Sequence, residues 1–212
     1  MSEPWTFGEP SLDETQRYAE VVRRVTSLML AMESTSAPSA RVIEALEQAA
    51  TELASEVPAD ARPRVGAAAD GDGRVYLDHS RDIGDFNPAF PSYTLDVDGD
   101  RASGSVNFPV LYEGPPGLVH GGFVALFFDC AIQHHNCDVG VAGKTTDLDV
   151  RYLAPTPLAT DLHFDIERHT DGSRIRSEAR LFSGDRLCAT ATMRAVAGNR
   201  EQLPPVSPRR SS

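Results

Sequence analysis

A single carboxylate stands inside the most apolar stretch of the chain, and its spacing from a pair of glycines is what suggests chemistry. Residues 121–136 read as one helix. At 100° per residue, Phe123, Leu126, Phe127, Cys130 and Ala131 fill one face, while Ala125, Phe128 and Ile132 cover much of the other. A helix apolar nearly all round has to be wrapped by protein, so its one acidic residue, Asp129, is expected where water is scarce. Burial costs even neutral polar groups roughly 2–7 kcal/mol, and a carboxylate more, unless a partner or a proton compensates. The residue type and its place fit a general base or a nucleophile. A hydrogen bond to a neighbouring strand, serving structure alone, is the competing reading.

The residues before this helix tilt the choice toward a site. Glu113-Gly114-Pro115-Pro116-Gly117 is a stiff loop delivering Val119-His120-Gly121-Gly122, where glycine lets another group approach the backbone N–H groups of a helix start. Such groups can hold a carbonyl oxygen that gains negative charge during attack. Gly122 and Asp129 lie seven residues apart. That spacing places them on one face, roughly 10 Å apart along the axis at a rise of about 1.5 Å per residue. An electrophile docked at the helix start is within reach of Asp129, more easily through a water.

The elements that must hold these groups are bounded by composition. The chain has 212 residues, 41% apolar and 24% charged, which is ordinary globular usage and room for one domain with an appendage. A net charge of −11 argues against a nucleic-acid partner or an anionic membrane surface. Lys144 is the lone lysine, so an anionic ligand would depend on arginine, and Arg151, Arg174 and Arg176 with Lys144 lie on or beside the later strands. The three cysteines, Cys130, Cys137 and Cys188, show no C-x-x-C spacing, so neither a disulfide framework nor a zinc ribbon is expected and a cytoplasmic location fits. The opening residues Met1 to Trp5 lack an apolar run, and no stretch is long enough to insert in a bilayer.

Along the chain, Ser11-Leu12-Asp13-Glu14 reads as a capping box. Tyr18, Val21, Val22, Val25, Leu28, Met29 and Met32 follow it at helical spacing. Beyond the break at Ser34 to Pro38, Val42, Ile43, Leu46, Ala49, Ala50, Leu53 and Val57 form a second stripe. Residues 1–57 are therefore expected to be a helical hairpin, a packing or subunit-contact element. Residues 58–74 read as a linker, 75–197 as the main domain and 198–212, with Pro204, Pro205 and Pro208, as a disordered tail. Strands are expected at Val75 to Leu77, Tyr93 to Val97, Ala102 to Phe108, Thr145 to Leu153, Leu162 to His169, Ile175 to Phe182 and Leu187 to Val196. Asp98-Gly99, Asp171-Gly172 and Ser183-Gly184 mark three hairpin turns. The order is read as β-β-α-β-β-β, an α+β domain with one helix inside one antiparallel sheet.

Three sets of residues, spaced along the chain, resemble the hot-dog-fold thioesterases, in particular the acyl-coenzyme A thioesterases of the PaaI-like branch. They are Tyr112 through Gly122, Asp129 nine residues after His120, and Thr145-Thr146-Asp147-Leu148-Asp149-Val150-Arg151-Tyr152-Leu153-Ala154-Pro155-Thr156-Pro157-Leu158. The resemblance runs from about Gly84 to Val196. It implies an antiparallel sheet curled around the helix, homodimers often paired into homotetramers with the site between subunits, an acyl-CoA substrate, and no cofactor beyond the coenzyme A of that substrate. Carried over by position, Asp129 becomes the catalytic carboxylate, as general base or as nucleophile. Gly121 supplies the N–H that polarises the thioester carbonyl, His120 shapes the loop, and Thr145 positions the water or the carboxylate. Gly114, Val119 and Gly122 fall beside the substrate. Strict strand alternation sets Thr145 opposite Leu148 and Val150, so the resemblance alone places it in the site.

One departure is plain: some members carry Asn or Gln six residues before the His, contacting the carbonyl, where this chain has Gly114. It keeps open a non-catalytic acyl-thioester-binding or scaffold protein as the rival. Gly84-Asp85-Phe86-Asn87-Pro88 is similar to the motif of a sister family of enoyl-thioester hydratases, but Phe90 stands where the His is required, so the segment reads as a turn and a hydratase is kept only as a second alternative. His134, His135, Cys137 and Asp138 crowd the helix end, yet adjacent histidines point about 100° apart and share no metal geometry, so no metal is expected.

Overall fold

The computed structural model describes residues 13–56, 82–140 and 143–197. Ser11 and Leu12 of the capping box, the segment read as a linker, the strand expected at Val75 to Leu77 and the C-terminal tail lie outside them. Helix α1 (Asp13–Leu30) and helix α2 (Ala37–Glu56) come first. Ser36 and Ser39 exchange bonds at the start of α2, the Ser36 N–H donating to Ser39 Oγ at 2.8 Å and the Ser39 N–H to Ser36 Oγ at 3.4 Å. This is a capping box with Ser in the place of Glu.

The main domain begins with a 3-10 turn, Ile83–Asp85, whose start is capped by the Asp82 carboxylate accepting from the Gly84 N–H at 2.9 Å. Arg23 of α1 ties this segment down, one guanidinium nitrogen donating to the carbonyl oxygens of Gly84 (2.7 Å), Asn87 and Phe90 (both 3.3 Å). The Gly84 to Pro88 motif is thus a docking point for the N-terminal helix. The two helices are present as a pair, but their stripes do not close on each other. Leu28, Leu46 and Leu53 remain 58%, 55% and 60% exposed, and Ser39 is the one residue of α2 that is buried.

The sheet holds β1 (Asp96–Asp98), β2 (Arg101–Asn107), β3 (Gly143–Tyr152), β4 (Asp161–Asp171), β5 (Arg174–Ser183) and β6 (Arg186–Ala197) in the spatial order β1-β2-β4-β5-β6-β3, antiparallel throughout. Helix α3 (Gly121–Val139) follows β2. The four strands after the helix are those expected from Thr145, Leu162, Ile175 and Leu187 onward, so the order is β-β-α-β-β-β-β, one strand longer than β-β-α-β-β-β. Tyr93, read as a strand start, makes only an isolated bridge to Val106 before β1 begins at Asp96.

The three hairpins share one turn. Gly99, Gly172 and Gly184 have φ of 57°, 58° and 57°, and each is followed by a residue at negative φ. Those are the signs of a type II′ turn, which demands glycine at its first central position. Space is not the reason, because a Cβ at any of the three would meet nothing within 4 Å.

Helix α3 lies on one face of the sheet, with Phe127, Phe128, Val124, Ala131 and Ile132 packed against Leu162, Phe164, Ile166, Leu181 and Met193. Phe127 meets Phe108, Tyr93 and Phe164 edge-on at 5.7, 5.7 and 5.0 Å between ring centroids. Under the helix, β5 and β6 present Ala179, Ala189 and Ala191, small residues that let so bulky a helix approach the sheet. Full burial of each Phe removes enough apolar surface to be worth about 2–3 kcal/mol.

Candidate active site

Two local devices define the site, a helix start eight residues before Asp129 and a strand irregularity beside Asp129. At the helix start His120 is the N-cap, and its Nδ1 accepts the Gly122 N–H at 3.0 Å. The His120 carbonyl accepts from Phe123 and Val124 at 2.9 and 3.3 Å. Of the amides that open α3, the Gly121 N–H is left without an acceptor among the described residues, half-buried where an incoming carbonyl oxygen could take it. The expectation of two bare glycine N–H groups thus becomes one, because the cap consumes the other.

The loop is held from several sides. Gly117 N–H donates to the Glu113 carboxylate at 2.7 Å, Gly114 N–H to Leu118 O at 2.9 Å, and Val119 N–H to Thr156 O at 2.9 Å. Gly114 lies directly against His120: a Cβ there would fall 2.7 Å from His120 Cα and 2.9 Å from its Cβ. Val119 points into the core and is 6% exposed, so its side chain is committed to packing. Tyr152, which sequence reasoning assigned no role, covers Gly121, its hydroxyl donating to Gly121 O at 2.8 Å. A Cβ on Gly121 would sit 3.2–3.4 Å from that ring.

Asp129 is half-buried on the same helix, and burial pushes its carboxyl above the usual carboxylate range, opposed by a hydrogen bond from Thr145. That bond, Thr145 Oγ1 to Asp129 Oδ1, is 3.5 Å long. Strict alternation would not have allowed it. In β3, Thr145 faces Ala195 while Asp147 faces the next residue back, Arg194, so Thr146 is an extra residue, a β-bulge. The bulge resets the pleat: Thr145, Leu148 and Val150 are all half-buried, with Thr146, Asp147 and Asp149 exposed. Thr145 therefore shares the helix-facing side with Leu148 and Val150, which corrects the face assigned by counting alone.

Other candidate residues go elsewhere. His135 is fully buried, its Nε2 against Gly99 O at 2.9 Å, and burial holds its pKa below the ordinary value. His134 instead meets the Tyr93 hydroxyl at 3.2 Å and Asp138 at 3.8 Å. Among the described residues no group of three or more His, Cys, Asp or Glu is placed to hold a metal. Arg151 and Arg176 pair with Asp149 and Glu178 on the sheet face away from α3, while Arg174 and Lys144 make no ion pair among the described residues. Two depressions on that outer face, of 460 and 390 Å³, are lined by alternating acid and base such as Asp165 and Arg180, which bond each other at 2.8 Å. Neither approaches Asp129.

Compared with known proteins, the chain matches no family model and no curated protein. Among solved structures it is similar to a thioesterase superfamily protein, with 29% identity and a TM-score of 0.69 over 92% of this chain and 97% of that one. At that coverage the match takes in the N-terminal helices as well as the sheet. Lower similarity links it to a Streptococcus mutans protein bound to acetyl CoA (17% identity, TM-score 0.48, 52% of this chain and 93% of that one). A phenylacetic acid degradation-related protein from Ralstonia eutropha is also similar (19% identity, TM-score 0.46, 49% and 83%). A six-stranded antiparallel sheet around one long helix is the hot-dog fold, and the solved structures that the chain resembles include thioesterase superfamily proteins.

Proposed function

We propose that this protein is a thioester hydrolase of the PaaI-like kind that cleaves acyl-coenzyme A to the free acid and coenzyme A. The observation that carries the reading is Asp129, half-buried with its proton affinity raised, on the same helix as a Gly121 N–H without an acceptor and within reach of the Thr145 hydroxyl. The thioester carbonyl oxygen would rest on the Gly121 N–H, which stabilises the oxyanion as water adds. Asp129, ionised, would take the proton from that water as the new C–O bond forms. Collapse of the tetrahedral intermediate breaks the C–S bond, and the proton held by Asp129 passes to the departing thiolate. Water is the only co-reactant in this scheme, and no metal or redox cofactor takes part.

The same reading makes the protein a cytoplasmic homodimer. On α3 the stripe Gly122, Ala125, Leu126, Asp129 and Gln133 is incompletely covered. Beside it β3 forms an outer edge of the sheet among the described residues, with Tyr152 at its end 55% exposed and Leu153 just beyond it 57% exposed. A second copy laid along this edge would wall the acyl group in. No described helix is long and apolar enough to cross a membrane.

The test is thiol release from a panel of acyl-CoA esters by wild type, Asp129→Ala and Asp129→Asn. Loss of one aligned base predicts a fall of about 10²–10⁴ in kcat. Because the base works ionised and burial raises its pKa, the acidic limb of kcat/KM in the wild type should lie above the ordinary aspartate value of 3.8. Equal rates in all three proteins would remove the assignment. Tight acyl-CoA binding without thiol release, indifferent to Asp129→Asn, would establish the binding-protein rival instead.

A further inference from the structure

We propose that Arg168, Asn136 and Gln133 form a directed hydrogen-bond chain that aims the Thr145 hydroxyl at Asp129, which makes Asn136 and Gln133 positioning residues for the hydrolysis. The proposal rests on the role given to Asp129 above. Asp129, Gln133 and Asn136 are spaced by four and three residues, one face of α3.

The direction is set at the far end. Arg168 of β4, 9% exposed, carries only donors, so its Nε, 3.1 Å from the Asn136 side chain, must face the amide oxygen. Ser177 Oγ donates to the same oxygen at 3.4 Å. Arg168 is itself held by Asp100, through its side chain at 3.2 Å and its backbone N–H at 2.8 Å. With its oxygen committed, Asn136 presents Nδ2 to Gln133 and donates to Oε1 at 3.3 Å.

Gln133 then has Nε2 on the other side, donating to Gly143 O at 2.9 Å and to Thr145 Oγ1 at 2.7 Å. A backbone carbonyl can only accept, so Gly143 fixes the same orientation independently, and the two ends agree. Having received this N–H, the Thr145 oxygen sends its own hydrogen onward to Asp129 Oδ1 at 3.5 Å or to Met193 Sδ at 3.8 Å. An ionised carboxylate is a far stronger acceptor than a thioether. Among the described residues Asp129 meets the Thr145 hydroxyl of β3, which Met193 of β6 also approaches, and interacts electrostatically with the Cys130 thiol of its own helix; the groups from the strands carry no charge. The arrangement is costly to reverse, since turning either amide would break bonds to donor-only or acceptor-only partners.

The test follows the Asp129 carboxyl by carbon-13 NMR titration in wild type, Gln133→Met, Asn136→Leu, Thr145→Val and the double variants carrying Thr145→Val. All of these changes are neutral in charge. Gln133→Met and Asn136→Leu should each raise the Asp129 pKa by about half a unit, since a donor to the charged form is lost. Neither should raise it further once Thr145 is Val. The acidic limb of kcat/KM should move by the same amount. A purely structural role would lower the melting temperature and leave the titration in place. An unmoved Asp129 in Gln133→Met, or shifts that add in the double variants, would overturn the chain; if Asn136→Leu fails to fold, Gln133→Met decides alone. Should the wild type release no thiol while the titration pattern holds, the hydrolase reading fails and the chain stands.

Discussion

At the scale of single residues, Gly114 changes meaning between sequence and structure. In the sequence it is a missing Asn or Gln. In the fold it is the one residue that lets the loop lie against His120, because a Cβ at 2.7 Å from His120 Cα meets backbone and cannot be relieved by a rotamer. Gly114→Ala should therefore push His120 away, loosen the cap on Gly122 and misplace the Gly121 N–H. Misplacements of about 1 Å cost up to roughly 10²-fold, so kcat/KM is expected to fall tenfold or more while the melting temperature drops little. Gly117→Ala makes the control. Its φ of 77° penalises a side chain, but nothing lies within 4 Å. It should cost about 1–2 kcal/mol of stability and leave kcat near the wild-type value. Thiol release and thermal melts of the two variants, run side by side, check the contrast.

At the scale of elements, the bulge in β3 puts Thr145 on the helix-facing side. Deleting Thr146 should leave unbroken alternation while pairing with β6 keeps residues 147–152 in place, and because Asp147 faces outward the Thr145 hydroxyl should stay on the helix-facing side. The expected result is an acidic limb and a kcat close to the wild-type values and distinct from those of Thr145→Val, with far-UV circular dichroism unchanged. A deletion variant that behaves like Thr145→Val would overturn this account of the bulge. This element also shows where legibility ended. Glycine at a two-residue turn and one carboxylate in an apolar helix are local facts, so the three hairpins, α3 and Asp129 could be read directly. A bulge built from Thr146 and Asp147 has no glycine to announce it, and it arises from pairing with a strand some fifty residues away. Gln133 and Asn136 were visible as polar residues in step with Asp129, yet the direction of their bonds comes from Arg168 and Gly143, which only the fold brings near.

At the scale of the whole molecule, the amphipathic stripes of α1 and α2 announced faces that want cover without saying what covers them. Arg23 answers for part of α1 by gripping Gly84, Asn87 and Phe90; the leucines of α2 stay in the open. The proposed dimer makes a measurable statement: light scattering after size exclusion should give twice the 22.9 kDa chain mass. A monomer at working concentration would refute it. The outer edge strand adds something further. β3 holds both the rim of the sheet among the described residues and the bulge beside Thr145, so whatever bonds to that rim stiffens the segment on which the hydroxyl rides. Dilution then ceases to be a neutral variable. As copies separate, turnover per chain should decline before any unfolding is seen, because the rim and the reacting centre are one piece of backbone.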